Sequence, residues 1–223
     1  MSELIIGYVG ADRVYMAEDS HCGKEERRTV AQSSENFGVH AFPGGVLCGF
    51  QGFRNIQTLL LSHPEWLDTT QKIRRVETDE AGKKHVTVTR VPGELNLGFI
   101  ANHFLPQLYR GLKENDLLEH EDRGDSLLLG EFLLAQNNRL YSIDSSFHVQ
   151  RVEKYAAIGF GSSLAMPRLL AYDGREPAEP VLYAALRDVA QHHRLMMPPY
   201  RLYSTKCPNG QVMEGYDDCF EGN

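Results

Sequence analysis

The chain opens on a hairpin that has no polar face. Leu4-Ile5-Ile6-Gly7-Tyr8-Val9 is rich in strand formers, Gly10-Ala11-Asp12-Arg13 supplies the turn, and Val14-Tyr15-Met16-Ala17 returns. Strands that are apolar almost without a break are buried on both faces. The hairpin therefore belongs inside a layered structure, with other elements packed above and below it. The rest of the sequence supplies those elements in blocks. A second hairpin runs from Phe37 to Phe42, turns at Pro43-Gly44-Gly45 and returns over Val46 to Phe50. An amphipathic helix follows between Gly52 and His63, carried by Ile56, Leu59, Leu60 and Leu61 and stopped near Pro64. Another spans Glu94 to Leu112, with Pro106 expected to kink or split it. Lys113 to Asp125 is charged and reads as a loop.

Strands resume with Leu127 to Ala135, an Asn137-Asn138 turn, and Arg139 to Asp144. Val149 to Val152 and Tyr155 to Ile158 are two more short strands. The Gly159-Phe160-Gly161 turn then leads into a helix with Ser162 or Ser163 as the expected N-cap. A last helix runs from about Glu179 to Leu195 with Pro180 in its first turn, and Tyr200 to Tyr203 reads as a closing strand. Strands grouped with strands and helices with helices argue for antiparallel sheets. The expected fold is α+β: a four-layer αββα sandwich of two antiparallel sheets, in a single domain over residues 1–206. Residues 71–91 alternate polar and apolar around Gly82 and read as an inserted, exposed β-ribbon, and 207–223 as a polar tail.

Composition excludes several function classes. Acids outnumber bases by 30 to 23, for a net charge of −7, so the chain lacks the basic footprint of a nucleic-acid binder. No apolar run approaches the roughly 18 residues of a membrane span, and the first residues lack the basic and apolar regions of a signal peptide. Four scattered cysteines do not make a disulfide framework, which points to the cytoplasm; Cys207 and Cys219 would pair only in an oxidising setting. His192-His193, His21, Cys22, Cys207 and Cys219 have no zinc-ligand spacing, so neither a metal nor a cofactor is expected.

Five strings in this order resemble the proteasome β-subunit and HslV-type peptidases, of the N-terminal-nucleophile hydrolase fold. They are Ile6-Gly7-Tyr8-Val9-Gly10, Val14 to Ser20, Val46 to Gly52, Leu133-Leu134-Ala135 with Arg139 to Asp144, and Tyr155 to Gly161. The resemblance covers residues 3–63 and 94–203; the ribbon and the tail lie outside it. It implies stacked or ring-shaped homo-oligomers and peptide or protein substrates.

It also implies a site built on an N-terminal threonine, serine or cysteine whose own amine is the base. A lysine, an aspartate on the second strand and a serine in the Gly-x-Gly turn assist. Asp19 matches the aspartate. Counting back from Asp19 without a gap puts Glu3 at the nucleophile position, while Ser2, exposed once Met1 is removed, reaches it only with a one-residue bulge. Glu35, Asn36 and Phe37 stand where the lysine belongs, and Phe160 where the serine belongs. Electrostatic and proton-transfer assistance of this kind is worth ~10²–10⁴ each in rate. The expectation is therefore a self-assembling subunit without the usual threonine-peptidase mechanism, acting as a scaffold or binding module. The alternative is an active N-terminal-serine peptidase or amidase that uses Ser2 and Asp19 in a rearranged site.

Overall fold

The computed structural model describes residues 3–20, 37–78, 84–120, 126–172 and 177–213. The opening hairpin forms as its composition requires. Strand β1 (Ile5–Val9) pairs antiparallel with β2 (Val14–Glu18), Ile5 opposite Glu18 and Val9 opposite Val14. The second hairpin pairs β3 (Val39–Phe42) with β4 (Val46–Gly52). Helix α1 (Arg54–Ser62) and a 3₁₀ turn over Pro64–Leu67 follow, then the ribbon strands β5 (Gln71–Thr78) and β6 (Lys84–Val91).

The next helical segment is continuous but not uniform. A short turn, α2 (Leu97–Phe99), passes through a π-helical stretch over Ile100–Phe104 into α3 (Leu105–Glu114). The sequence predicts a kink or break at Pro106. The widened π turn lets the proline, which has no N–H to give, enter the first turn of α3 without ending the helix. The charged stretch after it is not all loop: β7 (Leu118–His120) pairs with β8 (Ser126–Leu128).

The second block comprises β9 (Gly130–Gln136), β10 (Arg139–Ile143), β11 (Val149–Val152) and β12 (Tyr155–Ile158), then α4 (Ser162–Tyr172) and α5 (Ala178–His192). Neither serine caps α4. The carbonyl of Gly161 accepts from the amides of Leu164 and Ala165, so the glycine holds the cap position. Strand β13 (Arg201–Ser204) is followed by β14 (Cys207–Val212). Cys207 to Val212, which read as the start of a polar tail, instead adds an edge strand paired to β13. Its side chains are exposed or half-buried, which suits an edge, where backbone pairing needs no apolar face.

Two five-stranded antiparallel sheets result, in the orders β12-β1-β2-β13-β14 and β11-β10-β9-β4-β3. Three apolar layers define the sandwich. Ile5, Val14 and Met16 of the first sheet meet Leu47, Leu133 and Leu140 of the second between the sheets. Leu4, Ile6 and Ala17 point the other way, onto Leu169, Leu182 and Leu186 of α4 and α5. Cys48, Phe50, Phe132 and Leu134 pack on Ile56, Leu60, Phe104 and Leu108 of α1, α3 and the π turn. The α+β, four-layer αββα architecture is thus present, and β1 and β2 lie buried on both faces within it. Trp66 is a packing residue in the helical layer, stacked on His63 with ring centroids 4.5 Å apart. No helix among the described residues is long and apolar enough to cross a membrane.

Phe132 joins the two halves of one layer: its ring lies 4.6 Å from that of Phe50 and 5.9 Å from that of Phe104. Phe132→Ala is expected to lower the unfolding free energy by about 3–5 kcal/mol, read from a denaturant melt.

Candidate functional site

The start of the described chain is tied down from two sides. Strand β2 ends at Glu18, and the next residue, Asp19, folds its carboxylate back across the sheet. Asp19 Oδ1 accepts hydrogen bonds from the amides of Glu3 at 2.7 Å and Leu4 at 3.0 Å. Asp19 is buried. On the other side, the amide of Gly161 reaches the Glu3 carbonyl at 3.4 Å. Gly159 is required here: its φ is +98°, and a Cβ at this position would lie 2.5 Å from the Glu3 carbonyl oxygen. The amide of Gly159 donates in turn to Glu131 Oε2 at 3.2 Å. Phe160, at the tip of this turn, is 71% exposed. The backbone of residues 3 and 4 is therefore clamped between the end of β2 and the β12–α4 turn.

The carboxyl that enters the space between the sheets belongs to Glu18. Val14, Met16 and Glu18 alternate along β2 on the inward face, so Glu18 continues the row of Val14 and Met16. It is fully buried. Glu18 Oε2 accepts from the amide of Gly38 at 2.7 Å, and Oε1 accepts from the Tyr203 hydroxyl at 2.6 Å. A Cβ on Gly38 would sit 2.7 Å from Ile5 Cδ1 and 3.1 Å from Glu18 Oε2, so a larger residue here would have to displace the Ile5 side chain. Burial pushes the Glu18 carboxyl up to about 7; the Tyr203 hydroxyl and the Gly38 and Val39 amides oppose that rise, and neighbouring Asp19 adds to it. Among the described residues its hydrogen-bond partners are a phenol and backbone amides. Burial and the adjacent Glu18 carboxyl push the Tyr203 phenol far up against the charge and hydrogen bond of Arg201, so it stays protonated as the donor.

Phe37, in the stretch where the family resemblance expects a lysine, is a buried aromatic. The guanidinium carbon of Arg201 lies over its ring, 3.9 Å from the centroid. Arg201 stands opposite Glu18 in the β13–β2 register. His40 Nε2 lies 2.8 Å from the Phe37 carbonyl, and burial lowers the pKa of that histidine. Ser2, Glu35 and Asn36, which the sequence brought into the site, lie outside the described residues, as do His21, Cys22 and Cys219. Cys48 is a core residue whose thiol is pushed far up by burial, and Cys207 is exposed on β14. Among the described residues no group of histidine, cysteine and carboxylate side chains is placed to hold a metal ion.

Sequence reasoning passed over Glu18, Tyr203 and Arg201. Two signals pointed to Glu18: the two-residue alternation from Val14, and a charged residue ending a run of buried apolar ones. Tyr203 and Arg201 had no local signal, since only the pairing of β13 with β2 brings them in. Next to the clamp, a cleft of ≈ 260 Å³ opens between β10, β11, β12 and α4, lined by Glu131, Ser142, Asp144, His148, Ile158 and Met166.

The geometry is that of the proteasome-type, N-terminal-nucleophile hydrolase fold, and solved structures bear this out. The chain is similar to Thiobacillus denitrificans BPH, with a TM-score of 0.69 at 16% identity over 95% of this chain and 98% of that one. It is similar to HslV from Trypanosoma brucei, with a TM-score of 0.54 at 18% identity over 90% and 98% of the two chains. Anbu, the ancestral beta-subunit from Yersinia bercovieri, gives 0.58 at 12% identity over 94% and 86%. No family model and no curated protein sequence matches the chain. At these identities the likeness defines the fold.

Two outcomes follow from the clamp and the buried carboxyl. Gly159→Ala is expected to cost about 1–3 kcal/mol from its backbone conformation alone, seen as a lower melting temperature. The Glu18 carboxyl is near 7 when folded and near 4.5 when unfolded, so the folded state keeps a proton that the unfolded state has released. Stability is therefore expected to fall as pH rises through that window, by on the order of 3 kcal/mol in all, and then level off. Glu18→Gln keeps one acceptor for Gly38 and removes this slope, which melts across the window would register.

Proposed function

We propose that the protein is a proteasome-like subunit that assembles with copies of itself and serves as a scaffold or peptide-binding module, without the lysine-assisted mechanism of threonine peptidases. One observation carries this reading: the carboxyl buried at the end of β2 is held by the Gly38 amide and the Tyr203 hydroxyl, and the nearby Arg201 guanidinium lies on the Phe37 ring and bonds the Tyr203 side chain. An ammonium group beside such a carboxyl would drive it down rather than up to about 7. Without that charge, a hydroxyl at the chain start keeps its high pKa and attacks an amide slowly. The cleft at Glu131, Asp144 and His148, a few residues from the clamp, is the candidate place for a bound peptide. The sparse cysteines favour the cytoplasm.

A second reading, an N-terminal-serine peptidase or amidase, is favoured by the register of Glu18. Sixteen residues separate Glu3 from Asp19. The same interval counted back from Glu18 ends on Ser2, with no bulge. On this reading Glu18 replaces Asp19 as the inward carboxylate, and Asp19 positions the backbone next to the nucleophile. The BPH structure in complex with epoxomicin, with a TM-score of 0.65, is of this fold.

Peptidase assays on the wild type and Ser2→Ala separate the two, after mass spectrometry has identified the mature first residue. Equal, background-level turnover is the expected result. A wild-type rate that falls at least 100-fold in Ser2→Ala would establish the enzyme.

A further inference from the structure

The β5–β6 ribbon is a two-stranded sheet of its own. Its strands pair with each other over eight residues each, from Gln71 opposite Val91 to Thr78 opposite Lys84. Side chains 71–76 and 84–90 are all exposed. Residues directly opposite each other in an antiparallel pair share a face, and alternate residues lie on the same face. One face therefore carries Lys72, Arg74, Lys84 and Arg90 around Val76, Val86 and Val88. The three valines are 54%, 47% and 58% exposed. A lone two-stranded ribbon is at best marginally stable in water, and exposed strand edges invite pairing. A long, two-edged ribbon with an apolar centre is thus incomplete in a single chain.

Charge identifies what covers it. Residues 71–91 hold six basic and three acidic residues, a net of +3, so against the total of −7 the remainder of the chain carries −10. A cationic ribbon on an acidic body is complementary to the body of another copy. The same distribution disfavours nucleic acid and anionic membranes, since a polyanion drawn to the ribbon is repelled by the rest of the molecule. We infer that the ribbon is an assembly arm: its Lys72, Arg74, Lys84 and Arg90 face docks on the acidic surface of a second copy of this chain. The inference rests on the self-assembling reading above and gives it a specific contact.

Native mass spectrometry and light scattering on the full chain test it. Three proteins are compared: the wild type, the charge reversal Lys72→Glu/Arg74→Glu/Arg90→Glu, and a ribbon deletion. The deletion joins Gln71 to Val91, which already face each other, through a short glycine-rich turn. The reversal leaves the strands and their valines in place, so it needs no refolding of the body; circular dichroism melts check both variants. The wild type is expected well above its 25.2 kDa monomer mass at low salt. Both variants are expected to be monomeric at the same concentration, and 0.5 M salt should weaken wild-type assembly at least tenfold. A wild type that stays monomeric at every concentration overturns the inference. Assembly unchanged in both variants overturns the arm while leaving the self-assembling reading intact. A monomeric wild type that binds a short DNA duplex or phosphatidylserine vesicles through the ribbon also overturns it.

Discussion

A carboxyl buried between two sheets, held by a phenol and backbone amides, is the constraint around which the site is arranged. Glu18 ends the inward row of β2, and burial alone would make its ionised form expensive. Beside the Val39 amide, two of its donors come from different parts of the chain, the Gly38 amide before β3 and the Tyr203 hydroxyl of β13. Those two bonds tie the opening hairpin to the second sheet and to a strand that arrives almost at the end of the chain. Gly38 brings its amide close with no side chain to crowd Ile5, and Tyr203 has to keep its proton to donate. Asp19, one residue on, turns its charge to the backbone at the chain start instead of into the same space. Two adjacent acids thus divide the work, one closing the inter-sheet layer and the other fixing the N-terminal segment.

The fold was largely legible in the sequence because its signals are local. The unbroken apolar character of Leu4 to Val9 and Val14 to Ala17 required burial on both faces, and both helical and inter-sheet layers cover them. Turn residues marked the hairpins, and the β12–α4 turn fell on Gly159, where a positive φ demands glycine. What was missed depended on context. Pro106 sits in a helix because a π turn precedes it, and Cys207 to Val212 becomes a strand because β13 offers it an edge. Neither outcome can be read from the residues concerned.

The site was less legible than the fold, for the same reason. Asp19 stood out through family likeness, whereas Glu18 stood out only once β2 had a register against β1 and β13. Arg201 and Phe37 are far apart in sequence, yet their stacking fills a region where the likeness led one to look for a lysine. The neighbouring solved structures are similar to the chain at 12–18% identity, which defines the fold and not the site.

The central claim is that, among the described residues, the Glu18 carboxyl is held by a phenol and backbone amides. Carbon-detected NMR titration of the glutamate carboxyls, with Glu18 assigned by comparison with Glu18→Gln, measures this directly. The account expects an apparent pKa near 7. A value below the ordinary 4.5 would place a cation against that carboxyl and contradict it.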